Sequence, residues 1–147
     1  MGGSLFDIGP TDETPPEREG VLVAAYMQAG RTLDDLPYTA EFDRLVASAR
    51  ENGDARSPRE LLHSLHTMRK AGLLPKAGKS SGTPPKIGDE EERLLAELVV
   101  RAVGTLGKRD QLPYTEAFDV LVDQFNRQTA RALDPYSVWR LVAKLAK

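Results

Sequence analysis

Residues 36–46 of this chain, Leu-Pro-Tyr-Thr-Ala-Glu-Phe-Asp-Arg-Leu-Val, return as residues 112–122, Leu-Pro-Tyr-Thr-Glu-Ala-Phe-Asp-Val-Leu-Val. Eight of the eleven positions are identical, at a constant offset of 76. An internal repeat sets the structural unit before any element is assigned, because both copies have to obey the same local rules. It also makes the chain its own comparison: Leu, Pro, Tyr, Thr, Phe and Asp recur, and each needs a physical reason.

Outside this core the two copies match in hydrophobic pattern. Val21, Leu22, Ala25, Tyr26 and Ala29 share one helical face, and Leu94, Leu95, Leu98, Val99 and Ala102 follow at an offset of 73. Asp89 and Glu92 suggest a capping box for the second of these helices. Gly30 and Gly104 are natural stops. Pro37 and Pro113 then push the residue before them out of the helical region. Thr39 and Thr115 are N-cap residues, and the acids after them suit the positive end of a helix. The stripe Phe42, Leu45, Val46, Ala49 is repeated by Phe118, Leu121, Val122, Phe125. Ser57-Pro58 and Asp134-Pro135 each place an N-cap before a proline at the first helical position. A third helix follows, with Leu61, Leu62, Leu65 and Met68 inward in one copy and Val138, Trp139, Val142 and Leu145 in the other.

The pattern predicts an all-α fold: a tandem of two homologous three-helix units, helix-turn-helix-like, at residues 17–75 and 89–147. A flexible tail, 1–16, precedes them, and a Gly/Pro/Ser/Lys linker, 76–88, joins them. Units of this size bury only about 60% of their unfolded surface, so they should pack together or carry well-made helix ends. The first core is expected to hold Val21, Leu22, Tyr26, Leu36, Phe42, Leu45 and Leu65, with Leu73 and Leu74 folding back onto it. Trp139 should anchor the second.

The chain has no cysteine, which excludes disulfides, thiolate metal sites and thiol nucleophiles. No basic stretch leading into an apolar run opens the sequence, and no apolar run approaches membrane length. A cytoplasmic location is expected. Met1-Gly2-Gly3-Ser4-Leu5-Phe6 starts like a myristoylation site, but Phe6 stands where Ser or Thr is needed.

Other chemical motifs are fragmentary. Gly78-Lys79-Ser80 ends like a phosphate-binding loop, yet Gly72 is one residue too far upstream and Pro84-Pro85 follows where a helix should start. His63 and His66 stand at helical spacing, without Cys or further His to complete a metal site. Asp43 and Asp119 recur but have no partner carboxylate, so a role at a helix N-terminus accounts for them better than catalysis. No enzymatic activity, metal, cofactor or small-molecule substrate is expected.

Charge carries the functional signal. The net charge is −2, but it is laid down in blocks: −4 over residues 1–19, −3 over 20–55, +6 over 56–88, −4 over 89–99 and +3 over 100–147. Arg59, His63, His66 and Lys70 form a stripe on the third helix, flanked by Arg56 and Arg69 and extended by Lys76, Lys79 and Lys86. Tyr136, Arg140, Ala143 and Lys147 form the matching stripe, with Arg127, Arg131 and Lys144 nearby. The stretch Leu65-His66-Thr67-Met68-Arg69-Lys70-Ala71-Gly72-Leu73-Leu74-Pro75 resembles the end of the recognition helix in helix-turn-helix and winged-helix proteins, where Arg-Lys-Ala-Gly-Leu is a frequent close. The resemblance covers the first copy only, and no wing strands follow. It implies a helix presented to a DNA major groove. Nucleic-acid binding through Arg59, His63, Arg69, Lys70, Arg140 and Lys144 is therefore one expectation, with double-stranded DNA as the partner. The other is a protein-interaction or adaptor module, in which acidic first helices meet basic third helices of a partner or a second copy. A sequence pI near 5.7 and a second-to-third connection longer than the usual helix-turn-helix turn give the second reading equal standing.

Overall fold

The structure, a computed structural model, describes residues 15–76, 78 and 83–146. Residues 1–14 of the expected tail, with Lys79 and Lys147 of the basic tract, lie outside the described residues. Every described element is helical: α1 (Pro15–Ala29), a 3-10 turn (Leu33–Asp35), α2 (Ala40–Glu51), α3 (Pro58–Lys70), α4 (Asp89–Val103), a second 3-10 segment (Leu106–Gln111), α5 (Glu116–Thr129) and α6 (Pro135–Leu145). None of these helices is long and apolar enough to cross a membrane.

The helix starts follow the cap chemistry. Thr39 Oγ1 accepts from Phe42 N at 3.1 Å and donates to Leu36 O at 2.6 Å. Thr115 repeats both bonds, with Phe118 N at 3.1 Å and Leu112 O at 2.6 Å. Ser57 and Glu60 close a full capping box, and Asp134 Oδ1 accepts from Ser137 N at 2.8 Å. Each such cap contributes on the order of 1 kcal/mol. Two expectations are corrected. The helix predicted to begin beyond residue 16 already includes Pro15 and Pro16, because proline fits the first helical turn, where its missing N–H is not needed. The start of α4 is one residue earlier than an Asp89–Glu92 box requires: Gly88 is the cap and its N–H donates to Glu91 Oε1 at 2.8 Å.

Two apolar cores form. The first gathers Leu22, Tyr26, Leu33, Leu36, Phe42, Leu45, Leu61, Leu62, Leu65 and Met68 from α1–α3. The second gathers Leu95, Leu98, Val99, Leu112, Phe118, Leu121, Phe125, Val138, Trp139 and Val142 from α4–α6. Trp139 is 0% exposed. Val21 is exposed, contrary to expectation; Leu22 holds the inward position and Val21 falls at the rim. Leu74 packs on the first core as expected, but Leu73 is 70% exposed. The reason is local: Gly72 (φ 74) reverses the chain so that Leu73 N bonds back to Met68 O at 2.8 Å, which orients the Leu73 side chain outward.

The halves are in contact. α3 packs on the second 3-10 segment, and α6 packs on the first 3-10 turn. Each third helix thus lies partly against the opposite half.

Candidate functional site

At the centre of the contact between halves is the Leu-Pro-Tyr-Thr turn. Its tyrosine takes a left-handed backbone in both places, φ 67 at Tyr38 and φ 65 at Tyr114. A bulky side chain rarely adopts that region, and holding it there costs on the order of 1 kcal/mol. The conformation brings the two tyrosines together. Tyr38 N donates to Tyr114 Oη at 2.5 Å, and Tyr114 N donates to Tyr38 Oη at 2.6 Å. The rings stack with centroids 4.4 Å apart. Tyr38 also stacks on Phe118, and Tyr114 on Phe42, at 5.5 and 5.3 Å. Each tyrosine therefore contributes to the core of the other half. Burial pushes the Tyr38 phenol up to about 12 and raises Tyr114 further, so both stay neutral hydrogen-bonding groups.

On one side of this seam, α6 meets the first 3-10 turn around a fully buried carboxylate. Asp35 accepts from Tyr136 Oη at 2.5 Å, Arg140 Nη1 at 2.6 Å and Arg31 Nη1 at 2.7 Å. Arg31 also faces Glu41 at 3.0 Å. Trp139 Nε1 donates to Asp34 O at 2.9 Å, tying the largest side chain of the second core to the first half's backbone. On the other side, α3 meets the second 3-10 segment. Lys70 Nζ bonds Asp110 at 3.1 Å, and Arg69 reaches Asp34 at 3.5 Å. His66 is buried here at 1% exposure, its Nδ1 3.4 Å from Arg69 and its Nε2 without a partner among the described residues.

These contacts decide where the expected nucleic-acid contacts lie. Arg59 and His63 are exposed on α3, and Lys144 is exposed on α6. Arg69 and Lys70 are paired with Asp34 and Asp110. Arg140 has a side chain only 12% exposed and is directed at Asp35. The structure does not bring the six together as one outward surface. His66, read from sequence as part of an outward stripe, points inward because the second half covers that side of α3. The flanking arginines are also engaged: Arg56 with Glu19 and Asp54 at 3.0 and 2.7 Å, Arg131 with Glu91 at 2.6 Å, and Arg127 with Asp123. The Arg131 bond is the main reason the Glu91 carboxyl is held at about 2.

Sequence reasoning missed Asp35, Arg31 and Tyr136 as a cross-half cluster. Tyr136 and Arg140 at helical spacing were visible, but nothing in one helix's periodicity says that a carboxylate from 101 residues away will face them. It also missed two matching surface grooves between first and second helices. The groove between α1 and α2 holds about 250 Å³ and is lined by Ala25, Gln28, Ala29, Glu41, Arg44, Leu45 and Ser48. The groove between α4 and α5 holds about 440 Å³ and is lined by the counterparts Leu98, Arg101, Ala102, Ala117, Val120, Leu121 and Gln124, with Glu116. Arg44 pairs with Glu41 over the first groove; Val120, 56% exposed, takes the place of Arg44 in the second.

Among the described residues, no three His, Cys, Asp or Glu side chains group as a metal site. No protein-family model, no curated protein and no solved structure matches the chain.

Proposed function

We propose that this chain is a non-catalytic protein-interaction module, built by duplicating one three-helix unit over residues 17–75 and 89–147. Supporting the duplication, the same element order, the same threonine cap bonds and the same left-handed tyrosine occur in each half, and the two tyrosines exchange identical hydrogen bonds. The partner class follows from where the cations are. A helix that reads a duplex must offer its long donors outward, to phosphates and base edges. The observation that carries the reading is that Arg140, Arg69 and Lys70 meet acids of the chain itself, two of them across the seam. Moving them to phosphate would break those pairs and uncover the buried Asp35, an expensive exchange. Arg59, His63 and Lys144 are outward, and Arg69 and Lys70 are exposed but already paired with acids of the chain, which leaves few cations for strong phosphate-driven affinity.

Fluorescence anisotropy with a mixed-sequence duplex tests this at low and moderate salt. The expected result is no saturable binding at moderate salt and only weak binding at low salt. Tight binding that falls steeply with salt, and that is lost in Arg59→Ala and Lys144→Ala, would establish the nucleic-acid reading instead.

A further inference from the structure

Of the two histidines in the chain, His63 is exposed, whereas His66 is 1% exposed and sealed where α3 crosses the second 3-10 segment. Its tautomer follows from its neighbour. Arg69 Nη2 lies 3.4 Å from His66 Nδ1, and a guanidinium can only donate, so Nδ1 accepts and the ring proton sits on Nε2. That Nε2 has no hydrogen-bond partner among the described residues. A second proton therefore has one place to go, Nδ1, where it would point at the guanidinium. Protonation turns a hydrogen bond into two donors face to face inside a buried crossing, a costly arrangement.

The charged groups around the ring do not reverse that cost. On α3 itself stand the cations Arg69 and Lys70. The first 3-10 turn supplies Asp34, which faces Arg69 at 3.5 Å. The second 3-10 segment supplies Asp110, bonded to Lys70 at 3.1 Å, and Arg109, whose Nε is buried without a hydrogen-bond partner among the described residues. Tyr26 on α1 lies near Arg69 and Asp34 and, its pKa raised by burial, stays a neutral phenol. Asp110 and Asp34 favour the imidazolium, but burial and the Arg69 charge outweigh them and hold the ring at about 4. The opposite crossing has no such group: Ala143, 3% exposed, stands where His66 stands. The two seam tyrosines keep their protons throughout the acid range. Each half closes an apolar core of its own, so one crossing can part while both cores stay shut.

We propose that the α3 crossing is an acid-operated latch: a proton on His66 releases the second 3-10 segment from α3, and the halves hinge open on that side without unfolding. The latch goes beyond the protein-interaction reading and holds whatever the partner is. With an ordinary value of 6.5 for the released ring and about 4 for the sealed one, the ratio of open to closed chains should rise roughly 100-fold between pH 6.5 and pH 4. Because the chain has no cysteine, His63→Cys and Lys108→Cys place two spin labels at exposed positions on the two sides of the crossing. Pulsed dipolar spectroscopy then reads the distance between them. At pH 7 one short distance is expected. A longer population should grow as pH falls from 6.5 to 4, with helix content by circular dichroism unchanged, and it should be absent when His66→Leu is added. If His66→Leu does not fold at pH 7, His66→Gln, neutral and polar, takes its place. A distance constant down to pH 4 overturns the latch, as does a lengthening that appears only as helix is lost, or one that persists without His66. None of these results touches the choice between protein and nucleic acid, which the duplex titration decides separately.

Discussion

Where α6 crosses the first 3-10 turn, the buried carboxylate of Asp35 is shared by Arg31, Arg140 and Tyr136. Where α3 crosses the second 3-10 segment, Gln111 stands at the place of Asp35 and is exposed, while His66 is buried among Arg69, Lys70, Asp34 and Asp110. The geometry is alike on the two sides and the chemistry is not. One side is locked by an ionic cluster; the other is closed by apolar contact, surface ion pairs and a neutral imidazole with one ring nitrogen unpartnered among the described residues. Two crossings of similar sequence therefore do not require the same interactions.

Several substitutions bear on this contrast. Trp139→Ala should be the most damaging, about 3–5 kcal/mol by urea denaturation, because it empties the centre of the second core. It also removes the Trp139 Nε1 bond to Asp34 O, so the loss should exceed that of Leu62→Ala at the matching position of α3. Asp35→Asn should cost about 3–5 kcal/mol by leaving two guanidinium groups near an uncharged amide. Gln111→Ala should change stability by less than about 0.5 kcal/mol. Equal effects at 35 and 111 would show that the ionic side holds the halves no more firmly than the other.

Between pH 6.5 and 4 the His66 side should respond to acid. Burial first, and then the Arg69 charge, lower its pKa from 6.5 to about 4. Above pH 6.5 both folded and unfolded chains hold this histidine neutral, and its contribution is fully present. As pH falls towards 4 the unfolded chain takes up a proton that the folded chain refuses, and about 2–3 kcal/mol of stability is lost. Denaturation of wild type and His66→Leu across that range isolates the effect: the gap between them should change with pH. A constant gap would place the acid response elsewhere.

A smaller effect than at Trp139, Asp35 or His66 belongs to the helix ends. Gly53 (φ 86) closes α2 in the left-handed region, and Ala130 (φ 57) has to do the same for α5. Ala130→Gly should raise stability by up to about 1 kcal/mol, and Gly53→Ala should lower it by a similar amount. Thermal melts of the two variants moving in opposite directions would sharpen the correspondence between halves.

Much of the fold was legible because it rests on local rules. Thr39, Thr115, Ser57 and Asp134 announce helix starts by what their oxygens can accept, and Phe42, Leu65 and Trp139 announce an inward face by spacing. The candidate surfaces were less legible because they depend on what covers a helix from outside. The periodicity of α3 distinguishes Leu62 from His63, but it cannot show that His66 will be roofed by the second half. The spacing of Tyr136 and Arg140 suggests a solvated stripe until Asp35 is placed against it. The recurrence of Tyr38 and Tyr114 was the one usable sign of the seam, and it became interpretable only when each ring was found against the other half's core.

The two halves dock reciprocally through Tyr38 and Tyr114. Amide hydrogen exchange at Tyr38 and Tyr114 tests it most directly, since each N–H should be protected only by the other's hydroxyl. Both amides should exchange slowly in the wild-type chain, Tyr114→Phe should expose the Tyr38 amide, and Tyr38→Phe should expose the Tyr114 amide. Either amide exchanging at the rate of an open chain in wild type, or indifferent to removal of the opposite hydroxyl, would contradict the seam.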